Sequence, residues 1–309
     1  MKPYALAVAL AMTLTACGQQ SPQTAAPSAP VADQPAEATP PKSAEDLFAE
    51  KLDQVLAGDW RSEANKARDV YRHPKETLAF FGLKPGQSVL EITPGGGWYA
   101  EILAPLQKGN GTYVAALPKD EGASEYTLKN NTALREKFAA DPERYSDVHI
   151  ASFDPKAPDF AMPGSLDTVL TFRNVHNWVM ADTAPLMFKA FFDVLKPGGT
   201  LGVVDHRAPD GASLDAVKQS GYLPVDYVIK LATDAGFELV AQSEINANPD
   251  DTKDYEKGVW TLPPTLALGP DSSDRYRKIG ESDRMTLKFV KPAGDQIFQQ
   301  GTDGGAPKH

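Results

Sequence analysis

Three short stretches of this chain carry residue types suited to chemistry. Thr93-Pro94-Gly95-Gly96-Gly97 follows an apolar run that contains Glu91, Arg173-Asn174-Val175-His176-Asn177-Trp178 follows another, and Asp205-His206-Arg207 follows a third. A run of three glycines lets backbone pass close to a ligand and start a helix tightly. His176, His206 and Asp205 are the groups able to take a proton from a reacting nucleophile. His176 ranks first, because Asn174 and Asn177 flank it with groups able to orient a polar acceptor. The same two asparagines serve equally to cap the next element. Trp178 has two readings, a shield over a cation or a ring and a core residue. Asp205 is either a base or the anchor of Arg207. Tyr71-Arg72-His73, ahead of Pro74, reads as a lid over the pocket, with Tyr71 toward a substrate, or as simple packing of helix on sheet. Five histidines with no His-x-x-x-His pair and no carboxylate cluster give no expectation of a metal site.

The elements that position these residues follow from hydrophobic period. Ser88 to Ile92, Thr112 to Leu117, Val148 to Ser152, Thr168 to Phe172, Thr200 to Val204, Phe237 to Ala241 and Thr286 to Val290 read as strands. Helical spacing appears over Trp98 to Leu106, Ser124 to Ala140 and Val225 to Ala235. It also appears after Thr183-Ala184-Pro185, where Met187, Phe188, Phe191, Phe192 and Leu195 share a face until Pro197-Gly198-Gly199. Strands alternating with helices imply right-handed crossovers and a mostly parallel sheet covered on both faces. Before the last strand, Asn246 to Asp283 is rich in Pro, Asp, Gly and Ser and reads as a loop, so that strand is expected to insert antiparallel. In that loop Tyr255, Trp260 and Leu262 offer an apolar wall. Ligands of such sheets bind beyond the carboxyl ends of the strands, where strand order reverses. All three reactive stretches fall there.

The residues then carry a family resemblance. VLEITPGGGWYAEILAP resembles the first motif of class I S-adenosylmethionine-dependent methyltransferases, and LKPGGTLGVVDHR resembles their late motif, a helix end running into the fifth strand. With RDVYRHPKETLAFFGLKPG before them and TDAGFELVAQSEI after, the resemblance covers about residues 60 to 292 and is closest to a subgroup of bacterial methyltransferases. It implies a Rossmann-like α/β fold with a seven-stranded sheet whose last strand is antiparallel. It also implies S-adenosylmethionine as cofactor, while the acidic body and the apolar wall of the loop point to a small-molecule substrate. Glu91, Thr93, Gly95, Gly96, Gly97 and Asn174 would then line the cofactor, and Asp154 would contact its adenine. Asn177, Trp178 and Tyr71 fall to the substrate. Thr93 stands where the family has its first glycine. The place of the ribose-binding acid falls at Leu117-Pro118, with Asp120 and Glu121 just after.

Composition sets the compartment and the partners. The formal charge of −10 lies outside residues 1–44, where Lys2 and Lys42 balance Asp33 and Glu37. An acidic body repels phosphate backbones, so nucleic acid is not an expected partner. Lys2, the apolar run from Tyr4 to Ala16 and Leu14-Thr15-Ala16-Cys17 resemble a bacterial lipoprotein signal with its lipobox. The resemblance implies that the single cysteine, Cys17, is lipidated and held in the lipid bilayer. Gly18 in place of aspartate implies the outer membrane, facing the periplasm. The expected organisation is a signal at 1–17, a Pro/Ala-rich tether at 18–42, a helical extension at 43–82, the methyltransferase-like domain at 83–292 and a flexible tail at 293–309. The tether holds six prolines, seven alanines and four glutamines between residues 18 and 44 and supports no core; as a coil of about 27 residues it spans about 30 Å. A methyl donor made in the cytoplasm is not expected beyond the inner membrane, so the competing class is a lipid-anchored binding protein on the same scaffold, without methyl transfer. Cells fed a fatty-acid analogue are expected to label the parent protein and not Cys17→Ser; equal label in the two would remove the anchor.

Overall fold

Short apolar runs with β-branched residues build seven strands in one sheet. In the computed structural model, which describes residues 42–294, these are β1 (Ser88–Ile92), β2 (Thr112–Pro118), β3 (Val148–Phe153), β4 (Leu166–Phe172), β5 (Leu195–His206), β6 (Glu238–Ser243) and β7 (Arg284–Val290). Cys17, the signal, nearly all of the tether and the tail from residue 295 lie outside the described residues. The order is β3-β2-β1-β4-β5-β7-β6. Strands β1 to β5 are parallel, and β7 runs antiparallel to both of its neighbours, β5 and β6. This is the expected Rossmann-like sheet, with the reversed strand inserted between β5 and β6. The chain winds outward from β1 to β3, then returns to β4, so the switch point lies between β1 and β4.

Alternation along each strand divides the core in two. Leu90, Ile92, Val114, Ala116, Val169, Leu201 and Val203 face α8 (Val175–Met180), α9 (Ala184–Val194) and α11 (Val225–Asp234). Val89, Tyr113, Ala115, Leu117, Leu170 and Val204 face the other way, toward α1 (Ala44–Ala57), α4 (Pro74–Phe81), α5 (Ala100–Gln107) and α6 (Glu125–Ala140). Four-residue helices α2 (Glu63–Lys66), α3 (Asp69–Arg72), α7 (Pro142–Tyr145) and α10 (Leu214–Val217) and the polar α12 (Pro270–Ile279) fill the connections. Among the described residues, no helix is long and apolar enough to cross a membrane.

The extension is held by buried polar contacts as much as by apolar ones. Ser43 and Asp46 form a capping box on α1, whose Phe48, Leu52 and Val55 are buried. Between Trp60 and His73 the extension forms two short helices, α2 and α3, around Arg61, which is drawn inside. Its guanidinium donates to the Leu56 carbonyl and, bidentately, to Asp69 at 2.8 and 2.6 Å, and the chain folds around it. Trp60 Nε1 donates to the Glu101 carbonyl and Trp98 Nε1 to the Asn65 carbonyl, which ties the extension to α5.

Three elements differ from expectation. The helix after the glycine turn starts at Ala100, two residues late, because Gly97 and the residues after it form turns. Lys196-Pro197-Gly198-Gly199 lies within β5: Leu195 pairs with Leu166 but Thr200 with Thr168, so the turn is a bulge in a strand that has already begun. The segment from Asn246 to Asp283 contains α12, which buries no residue and therefore has no apolar stripe to betray it. A Cβ at Gly202 would lie 2.8 Å from both Phe81 and Leu170, so this glycine lets α4 seat on β5. Gly202→Ala is expected to cost about 1–3 kcal/mol by overpacking, seen as a lower urea midpoint at constant slope; an unchanged midpoint would mean that α4 has room to move.

Candidate functional site

The glycine turn leaves β1 with its backbone in strained conformations. Thr93 has φ +50, and its N–H donates to the Ala116 carbonyl at 2.8 Å. Its Oγ1 is buried and has no hydrogen-bond partner among the described residues. Gly95 has φ +59, and a Cβ built at Gly95 or Gly96 meets nothing within 4 Å, so the two present an open cradle of bare backbone. Gly97 differs: its Cβ would lie 2.7 Å from Leu134, so it packs α6 rather than faces a ligand. Asn174 donates from Nδ2 to the Ile92 carbonyl at 2.9 Å and so ties the end of β4 to the start of this turn. Glu91 points into the layer beneath, where it accepts from Tyr113 Oη at 2.6 Å. Burial raises its carboxyl to about 8, against the opposing pull of Tyr113 and Arg72.

The residues after β4 and the last residues of β5, which runs to His206 and so includes Asp205 and His206, meet around one carboxylate. Asp205 has no exposed surface and accepts from Val175 N at 2.6 Å, His206 N at 2.7 Å and His176 Nδ1 at 2.9 Å. It caps α8 from a neighbouring strand, so the cap expected of Asn174 is absent. The carboxylate can only accept, which makes His176 the Nδ1–H tautomer and leaves the lone pair on Nε2. Nε2 of His176 has no partner in the described residues, a base held by an orienting acid. His206 is differently placed. Its Nδ1 meets Ser282 Oγ and its Nε2 accepts from Arg173 Nε at 3.5 Å. Burial, then His176 and the nearby arginines, push it well below the ordinary histidine range, so it stays neutral with both nitrogens engaged. The two imidazoles lie 4.9 Å apart, and Trp260 closes the site edge-on, 6.1 Å from His176.

The surrounding charge is positive. Glu281, just before β7, takes Arg68 Nε at 2.7 Å, Arg72 Nε at 3.0 Å and Arg284 Nη1 at 3.2 Å. Burial alone would raise its carboxyl, but Arg72, Arg284, Arg173 and Arg68 together hold it at about 2. Arg173 enters from the end of β4 at φ +63. Ligand atoms of His176, Asp205 and His206 come within 4.8 Å of one another, close enough for a metal ion, an arrangement the sequence did not suggest. His176 Nε2 is open among the described residues, whereas Asp205 and both nitrogens of His206 are engaged in hydrogen bonds and the guanidinium of Arg173 adjoins them.

The other candidates are more scattered. Trp178 packs in the core against Phe191, away from the imidazoles. Asn177 is exposed on α8. Tyr71 lays its ring on Gly280 and gives its carbonyl to Arg284, while its neighbour Arg72 is the residue that enters the site. Asp154 caps its own turn by accepting from Lys156 N. Asp120, beyond β2, is held by Asn131 and Arg135. Arg207 does not pair with Asp205. The chain leaves the sheet after His206, so Arg207 turns outward to Asp283 and Glu244. Arg68, Arg173, Arg284 and Glu281 are brought in by topology alone, although Arg173 stands next to a residue singled out.

The raised Glu91 carboxyl has a consequence for stability. An acid with a folded value near 8 keeps a proton that the unfolded chain has released above its ordinary 4.5, so stability falls as pH rises through that window. The loss is about 5 kcal/mol at most, at 1.36 kcal/mol per unit. Glu91→Gln keeps a partner for Tyr113 without the charge. The parent-minus-variant difference in urea midpoint is expected to fall from pH 5 to pH 8, and a flat difference would show that Glu91 ionises freely.

Comparison with known proteins places the fold. No protein-family model matches the chain, and no functionally characterised protein matches it in sequence. Many solved structures match in three dimensions. The [4+2]-cyclase SpnF superposes with a TM-score of 0.50 at 16% identity over 81% of this chain and 96% of its own. A putative sarcosine dimethylglycine methyltransferase from Galdieria sulphuraria gives 0.49 at 14% identity over 80% and 99%. A SAM-dependent methyltransferase from Aquifex aeolicus gives 0.48 at 15% identity over 79% and 98%. At these identities a likeness bears on fold alone: the superposition on SpnF agrees with the seven-stranded Rossmann-like architecture that the strand order itself gives.

Proposed function

We propose that this protein is an S-adenosylmethionine-dependent methyltransferase acting on a small molecule. One observation carries the reading: the open glycine cradle after β1 and the Asp205–His176 pair at the carboxyl ends of β5 and β4 stand at the same end of the sheet, on either side of the switch point. The residues present fit the cofactor, since the bare backbone at Gly95 and Gly96 admits a ligand against it and the buried Thr93 Oγ1 lacks a partner among the described residues. Thr93, Gly95 and Gly96 would hold its methionine part, and Asn174 keeps that turn in place through the Ile92 carbonyl. When bound, the sulfonium supplies an electrophilic methyl group.

The chain's own work is to prepare the acceptor. An oxygen or nitrogen that gains a methyl group must lose a proton, and Nε2 of His176 is the group placed to take it. Asp205 fixes the tautomer that exposes that lone pair and stabilises the imidazolium that results. His206, neutral and doubly engaged, serves as part of the wall rather than as a second base. Trp260 keeps bulk water from the imidazole. Lipid anchoring at Cys17 belongs to the same proposal, as a means of keeping the domain at a membrane surface.

Calorimetry with S-adenosylmethionine and S-adenosylhomocysteine is the primary test. The parent is expected to bind both. Gly95→Val is expected to bind neither while remaining folded, because a β-branched residue at φ +59 is strained and fills the cradle. His176→Gln is expected to retain binding and to lose about two orders of magnitude in turnover. No binding by the parent would reject the cofactor; binding with no methyl transfer to any small-molecule acceptor would leave a binding protein.

A further inference from the structure

Beside His206, four guanidinium groups converge on too few carboxylates. Arg68, Arg72 and Arg284 share the single Glu281, and Arg173 forms no ion pair among the described residues. The next carboxylate, Asp205, is already taken by His176 and two backbone N–H groups. Several donors remain. Arg68 Nη2 is buried and has no partner among the described residues. Arg72, with a side chain only 8% exposed, gives Nε to Glu281 and stacks its guanidinium 4.7 Å over Trp98, and its two Nη atoms make no hydrogen bond in the described residues. Arg173 gives Nε to His206 at a weak 3.5 Å and has its fork otherwise unengaged. Buried guanidinium groups without counter-charge repel one another and lose hydration, a cost that an anion seated among them removes. The fork of an arginine matches the paired oxygens of a carboxylate or phosphate.

We propose that Arg173, Arg68 and Arg72 form an oxyanion subsite that holds a carboxylate or phosphate group of the small molecule presented to His176. The reading rests on the methyl-transfer proposal for what happens next, but the capture of the anion does not. Three elements build the subsite: the extension brings Arg68 and Arg72, β4 brings Arg173, and the loop into β7 brings Glu281, which holds Arg68 and Arg72 in place. Arg173 meets His206, whose ring lies 4.9 Å from that of His176, so an anion on Arg173 leaves the rest of a small molecule within reach of the base. The depth of Arg72 and Arg284, together with the acidic body, excludes a duplex or a bilayer as the source of the charge. Burial and mutual repulsion lower the affinity of Arg72, Arg173 and Arg284 for their protons, as expected of cations in need of a partner.

The test titrates sodium phosphate and sodium succinate into the full chain, with ionic strength held constant by sodium chloride. Binding is followed by calorimetry and by tryptophan fluorescence, to which Trp98 under Arg72 contributes. Saturable binding of either anion is expected, weakened roughly 10- to 100-fold in Arg173→Gln, the loss of a charge-assisted pair. Lys189→Gln, on the exposed face of α9 and paired with Asp193, is expected to bind like the parent. Arg68→Gln, whose side chain is partly exposed, repeats the test if Arg173→Gln does not fold. No saturation above the chloride control, or parent affinity in Arg173→Gln and Arg68→Gln alike, would overturn the subsite. Competitive displacement of phosphate by S-adenosylhomocysteine would also overturn it, by giving the arginines to the carboxylate of the cofactor. Anion binding in a protein that binds no adenosyl ligand would leave the subsite standing and remove methyl transfer instead.

Discussion

The site depends on the burial of one carboxylate. Asp205 sits at the end of β5 with no contact with solvent, and such a group is tolerable only where hydrogen bonds replace its hydration. It finds them in its own strand, through His206 N, and across the sheet, through Val175 N and His176 Nδ1. The second set fixes where α8 begins and which way His176 faces. The hydrogen bond that starts a six-residue helix also sets a histidine tautomer, so local structure and candidate chemistry share one atom group. A helix this short has little stability of its own, and a carboxylate at its N-terminus offsets part of that deficit.

Around this centre the charge arrangement favours anions over cations. Asp205 and Glu281, two of the buried acids, each accept several hydrogen bonds or ion pairs from their own surroundings. What remains unmatched is guanidinium. The same field accounts for the difference between two histidines less than 5 Å apart. His206 faces Arg173 and is kept neutral by burial and positive neighbours, whereas His176 faces Asp205. Environment, more than residue type, separates a wall from a base.

The fold was legible to a degree that the site was not. Short apolar runs, such as Val89 to Ile92, and helices with a strong apolar face, such as Ala184 to Val194, announce themselves because burial acts residue by residue along the chain. The turn at Gly198-Gly199 was visible as a turn but not as a bulge, since register is a property of two strands. Helix α12 buries nothing and left no periodic signal. In the site, the types of His176 and Asp205 suggested chemistry, yet their pairing joins residues 29 apart and emerged only with the sheet order. Trp178 and Asn177 lie beside His176 in sequence and point elsewhere, because successive residues of a helix face different directions. Arg68 and Glu281 are 213 residues apart, and no local pattern connects them.

That distance bears on how the site is assembled. The extension reaches it through a chain of buried polar contacts: Arg61 is clamped by Asp69 within the extension, Trp98 donates back to Asn65, and Arg68 and Arg72 close on Glu281. Each contact needs the next, because a buried guanidinium without its acid is costly. The loop into β7 is bound from the other side, where Asp251 accepts from Tyr222 and from Asp283 N. The two covers of the site, one from the amino-terminal end of the described chain and one from the carboxy-terminal end, therefore meet at Glu281. An anion that took the free donors of Arg68, Arg72 and Arg173 would add a further tie between them, so substrate capture and closure would be linked through the same guanidinium groups, in proportion to how much more tightly the closed arrangement holds the anion.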